Sequence, residues 1–123
     1  MKLVFICSPY RSDNPDPHEK AVEILRNIQM ARTGCRIAVE RGFTPFAPHL
    51  FFPQFLSEET EREAGIEMGM QMLSLCTELW VLGRKVADGM AKEISYAREL
   101  GIPVRIMENP KTGAERLMEA VKE

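Results

Sequence analysis

The chain has 123 residues, 45% of them hydrophobic and 28% charged, with a formal net charge of −2. That length makes one domain able to bury roughly two-thirds of its unfolded surface, and the charge balance removes the electrostatic case for a nucleic-acid polymer as partner. No apolar run reaches the length of a membrane span, and the segment 1–7 is too short for a signal-peptide core, so a cytoplasmic protein without a membrane partner is expected. The three cysteines, Cys7, Cys35 and Cys76, form no CxxC or Cys/His pattern and read as reduced, buried small hydrophobes. A nucleophilic role for Cys7 is the lesser reading.

Lys2–Cys7 is a short apolar run, as a strand covered on both faces requires. Ser8–Pro15 is dense in turn formers and reads as a loop. Asp16-Pro17-His18-Glu19 combines an N-cap, a proline at N1 and a glutamate at N3. The helix it opens carries Val22, Leu25, Ile28, Arg32, Cys35 and Val39 on one face, with a kink expected near Gly34 and a stop at Gly42. Phe43–Ala47 reads as a second strand, placed at a sheet edge by Pro45.

Pro48–Leu56 is aromatic and twice interrupted by proline, so it suits neither strand nor helix. Packing and the lining of a pocket for a flat ligand are equal readings of it. Ser57 with Glu58 and Glu59 reads as the cap and acidic first turn of a helix running to Cys76. Its methionines fall on more than one face, which suits burial against both a sheet and a second subunit. Glu78–Leu82 is the third strand. Asp88 is the expected N-cap of a helix that ends at Gly101, with Met90, Ile94, Ala97 and Leu100 on the packed face and Glu93 off it. Ile102–Met107 is the fourth strand, and a closing helix is expected to run to about Val121.

Strands alternating with helices predict a small doubly wound α/β domain, Rossmann-like or flavodoxin-like, with four to five parallel strands flanked by helices. Ligands then sit beyond the carboxyl ends of the strands, where the loops carry Tyr10, Arg11, His49, Gly83, Arg84, Lys85 and Asp88. No GxGxxG, GxxxxGK[ST] or GxSxG motif is present, and His49 has no evident second histidine for a metal; neither cofactor nor metal is expected. What remains is Glu93 about one turn into a helix, where the dipole favours the carboxylate. Such a carboxylate can attack a sugar C1 in retaining glycosyl transfer, and Arg11, Arg84 or Lys85 can hold a phosphate.

Four segments together resemble the nucleoside 2-deoxyribosyltransferase-like superfamily, closest to a phage and bacterial branch of unknown function. They are Val4–Tyr10, Pro45–Leu50, Leu73–Gly83, and Gly89-Met-Ala-Lys-Glu-Ile94 followed by Ala97 and Gly101-Ile-Pro-Val. The resemblance spans about Leu3 to Arg105 and implies an N-glycosidic bond hydrolase or deoxyribosyltransferase acting on a nucleoside or nucleotide. It makes Glu93 the nucleophile and Tyr10 the aromatic that positions it, with Asp88 as a second acid. Ser8, Pro9, Arg11, His49, Gly83, Arg84, Gly89 and Met90 become substrate-binding positions, and a homodimer or larger assembly is implied. Two departures stand out. Asp88 occupies a position that is often serine in phosphate-binding relatives, where an acid would repel a 5′-phosphate. An aspartate expected near the helix before the third strand is missing; Met70, Gln71 and Met72 stand there, with Glu63 and Glu67 the nearby acids. The second departure leaves open a module that binds a nucleotide as sensor or sink without cleaving it.

Overall fold

A computed structural model of the chain describes residues 2–83 and 85–107. Four strands, β1 (Lys2–Cys7), β2 (Phe43–Phe46), β3 (Glu78–Leu82) and β4 (Val104–Met107), form one parallel sheet in the order β2-β1-β3-β4. The helices are α1 (Pro17–Glu40), α2 (Pro48–Phe51), α3 (Arg62–Leu73) and α4 (Asp88–Glu99), with a 3₁₀ turn over Phe52–Gln54. The chain leaves β1 toward β2 and returns across it to β3, so the winding reverses between β1 and β3. In open α/β sheets that reversal leaves a crevice at the carboxyl ends of the two strands.

Strand alternation builds two cores. Phe5 and Cys7 of β1 and Leu79 and Val81 of β3 point to one face, where they bury against Met90 and Ala97 of α4 and Leu73 of α3. Val4, Ile6, Trp80 and Leu82 point to the other, against Ala38, with Cys35 and Ile37 of α1 packed beside them. A sheet buried on both faces explains the continuous apolar runs of β1 and β3. β2 stands at one edge, as Pro45 requires, and β4, with Ile106 exposed, is the other edge strand among the described residues.

Several local expectations are corrected. α1 is capped by Asp16, whose carboxylate accepts from the Glu19 amide at 3.3 Å, but it buries a different face. Ala31, Thr33, Gly34 and Ala38 are buried, whereas Leu25 and Val39 are exposed and so is Arg32. The helix is also continuous through Gly34. That glycine serves close approach: a Cβ there would lie 2.4 Å from Leu82 Cδ1, so α1 reaches the sheet through its small residues. Pro48–Gln54 forms two short helical turns, each with a proline in its first turn. α3 starts at Arg62 instead of Ser57 and ends at Leu73 instead of Cys76. The residues 57–61 are a turn tied by Glu61, whose amide donates to the Ser57 carbonyl at 2.8 Å and whose carboxylate accepts from the Ser57 amide at 3.0 Å. Asp88 is the first residue of α4 and caps nothing; Ala87 holds the cap position. The expected closing helix lies outside the described residues.

Candidate active site

The reversal between β1 and β3 places a pocket where their carboxyl ends meet the start of α4. Its walls come from the loop after β1 (Ser8, Pro9, Tyr10, Arg11), from α2 and the 3₁₀ turn (Pro48, His49, Phe52, Pro53), from the segment 56–66, and from the first turns of α4 (Ala87, Gly89, Met90, Glu93).

Glu93 sits at the floor. It is 5% exposed and shares the buried stripe of α4 with Met90 and Ala97, so it belongs to the packed face from which the sequence reading excluded it. Its Oε1 atom has no hydrogen-bond partner. Burial raises the carboxyl to about 7, against a smaller opposing effect from the Cys7 thiol beside it. Desolvation thus outweighs the helix dipole that was expected to keep the group ionised. A carboxyl poised near neutrality can be a nucleophile or base when ionised and an acid when protonated. The Cys7 thiol is fully buried and raised well above the usual thiol range by burial and by Glu93, which excludes the thiolate a nucleophilic role needs.

Ser8, 1% exposed, brings a second buried oxygen without a partner, its hydroxyl. Tyr10 and His49 stack with centroids 5.2 Å apart and planes 24° from parallel. His49 is lowered to about 4 by burial and by the Arg62 charge, against a hydrogen bond to the Ser8 backbone, so it is a neutral imidazole at physiological pH. The Tyr10 hydroxyl is raised by burial and by Glu58 and stays protonated there as well. α1 anchors this wall: Asn27 Nδ2 donates to the Tyr10 carbonyl at 3.0 Å, and the Ser12 hydroxyl bonds Glu23 while accepting from the Asn14 amide.

The sequence-predicted residues divide cleanly. Ser8, Pro9, Tyr10, Arg11, His49, Gly89, Met90 and Glu93 line one pocket. Asp88 does not line it, so its expected repulsion of a phosphate has no place in the pocket wall. Gly83 also stays outside the lining. Its φ of +98° turns the chain out of β3, and a Cβ would meet Pro9 Cδ at 3.4 Å and Met30 Sδ at 3.5 Å, so it shapes the pocket through backbone alone. Arg84 lies outside the described residues. Among the lining residues that the sequence did not mark, three are charged: Glu58, Glu61 and Arg62. Glu58 and Arg62 pair at 3.4 Å, and Arg62 Nη2 lies 3.5 Å from where a Gly89 Cβ would be. Glu58 and Glu61, and not the exposed Glu63 and Glu67, are the acids that this segment contributes to the lining. Their signal was the acid cluster after Ser57, which reads equally as a first helical turn.

This fold is shared with a solved structure described as a 2-deoxyribosyltransferase from the psychrotolerant bacterium Bacillus psychrosaccharolyticus. The identity is 21% and the TM-score 0.54, with 90% of this chain and 74% of that one covered. No curated protein sequence matches. The chain belongs to the family described as Domain of unknown function (DUF7768), whose profile matches residues 2–107.

Proposed function

We propose that the protein breaks the N-glycosidic bond of a deoxynucleoside or nucleotide, as hydrolase or transferase, with Glu93 as nucleophile. The observation that carries this reading is the buried Glu93 carboxyl, one oxygen unpartnered, at the floor of the pocket between β1 and β3. The fold it shares with a 2-deoxyribosyltransferase supports it. The ionised carboxylate attacks C1′ and the C1′–N bond breaks, its electron pair leaving with the base, which takes up a proton from a lining group or water. Water or a second base then attacks C1′ of the glycosyl ester and frees the carboxylate. The aromatic wall of Tyr10, His49 and Phe52 offers flat faces to a base, and Tyr10 positions the nucleophile. Arg62 and Arg11 are the lining cations that can meet a phosphate. The reading includes a homo-oligomer, for which exposed Phe51 and Phe55 supply apolar surface beside the pocket.

The test is covalent trapping. Incubation with 2′-fluoro-2′-deoxynucleosides, which slow breakdown of a glycosyl ester, is expected to add one fluorosugar to the peptide bearing Glu93 by mass spectrometry. An unlabelled Glu93 peptide in a protein that nonetheless releases base would remove the nucleophile assignment.

One observation favours a second reading. With its carboxyl near 7, Glu93 is about half protonated at neutral pH, and the proton donates a hydrogen bond to a ligand instead of attacking it. Under that reading a nucleotide is held without turnover, and it would be recovered intact from the purified protein.

A further inference from the structure

Among the described residues, two side-chain oxygens are buried without a hydrogen-bond partner, Ser8 Oγ and Glu93 Oε1, and both residues line the same pocket. Glu93 carries the proposed chemistry; Ser8 takes no part in it. Ser8 follows the last residue of β1, and Glu93 lies about one turn beyond Met90 on α4. The contact between Cys7 Sγ and the Met90 carbonyl, at 3.8 Å, holds the end of the strand against that turn. With Ser8 1% and Glu93 5% exposed, the two unpartnered groups mark the floor of the pocket. Its other charged lining groups lie further out: Arg11, Glu58 and Glu61 are exposed, and Arg62, partly exposed, is paired with Glu58 at 3.4 Å. The floor therefore offers a hydroxyl and a carboxyl, with no buried cation beside them among the described residues. A phosphate placed there would lose its water and meet no counter-charge. A neutral hydroxyl, which both donates and accepts, suits either group.

We infer that Ser8 is a specificity-determining residue, whose buried hydroxyl binds a hydroxyl of the substrate's sugar, the 3′ or the 5′. Attack by Glu93 at C1′ brings the sugar over the floor, while the base faces the aromatic wall. Ser8 is then the group that the sugar meets beside the nucleophile. Such a site discriminates against the analogue that lacks the hydroxyl, because the buried protein group is left unpaired when that analogue binds. This inference deepens the proposed function and rests on it, but its test does not need turnover.

The measurement is calorimetric binding of carbocyclic 2′-deoxynucleosides and their 5′-monophosphates, in which a methylene replaces the ring oxygen so that no glycosidic bond is cleaved. Each parent is compared with counterparts lacking the 3′ or the 5′ hydroxyl, in wild type and in Ser8→Ala. Wild type is expected to bind one of the two counterparts about tenfold more weakly than the parent, the scale of one hydrogen bond. Ser8→Ala should bind the parent about tenfold more weakly, and loss of the same hydroxyl should then cost less than about twofold more. That non-additivity is a signature that a packing role for Ser8 would not give. Ser8→Gly, which also removes the hydroxyl, serves if Ser8→Ala does not fold. Hydroxyl costs that persist in full in the variant would overturn the inference and leave the proposed function standing. Failure of wild type to bind any parent would remove the proposed function and this inference with it.

Discussion

At the residue scale, two groups in one pocket are displaced from their ordinary ionisation in opposite senses, and both displacements come first from burial. Glu93 rises from 4.5 to about 7 and His49 falls from 6.5 to about 4. Between pH 4.5 and 7 the folded protein keeps a Glu93 proton that the unfolded chain has released, so this group lowers stability as pH rises. Between pH 6.5 and 4 the unfolded chain binds a His49 proton that the folded protein refuses, so this group lowers stability as pH falls. The two slopes oppose each other from pH 4.5 to 6.5. Chemical denaturation across that window should therefore show little net effect of the pair. In His49→Gln stability should fall as pH rises, and in Glu93→Gln it should rise with pH. At pH 8 Glu93→Gln should exceed wild type by up to roughly 3 kcal/mol, the cost of ionising the buried carboxyl. A Glu93→Gln variant no more stable than wild type at pH 8 would show that the carboxyl is better solvated than its burial indicates.

At the element scale, the strands and most of the packed face of α4 (Met90, Ile94 and Ala97, though not the exposed Leu100) were legible, and the face of α1 was not. β3 runs from Glu78 to Leu82, the span its apolar run marks, because a strand covered on both faces must be apolar throughout. In α1 the spacing of large apolar side chains imitates a core face that the fold leaves partly exposed, with Leu25 and Val39 open to solvent. The sheet instead accepts its small residues, with Gly34 nearest. Gly34→Ala should therefore destabilise by about 1–2 kcal/mol in denaturant titration, because displacing buried Leu82 outweighs the helix-propensity gain. Asn27→Ala should act differently. It frees the Tyr10 carbonyl from the 3.0 Å bond that ties the pocket wall to α1, so ligand affinity should fall while global stability drops by only about 1 kcal/mol. Equal losses of affinity and stability would make Asn27 a general packing residue. The start of α3 was misplaced because Ser57 followed by acids imitates a helical first turn. The backbone instead closes a turn through Glu61, and that turn carries Glu58 and Arg62 to the pocket.

At the scale of the whole molecule, the alternation of strands and helices placed the site before any side chain was seen. A sheet whose winding reverses between β1 and β3 has its crevice there, and the segments after β1 and β2 line it, while Gly83 and Asp88 of the segment after β3 do not. What sequence could not give was the depth of Glu93. A glutamate on an otherwise apolar stripe reads as the polar margin of a helix, and only the meeting of α4 with the end of β1 makes it the floor of a pocket. That burial joins the fold to the chemistry proposed for it. The direct test is chromatography for free base released from a panel of deoxynucleosides and their 5′-monophosphates. Wild type and Glu93→Ala are run in parallel, with and without an acceptor base. The account predicts release by wild type that is lost in Glu93→Ala, with base exchange distinguishing a transferase from a hydrolase. Release that persists in Glu93→Ala, or intact binding of a nucleotide with no release by wild type, would contradict it.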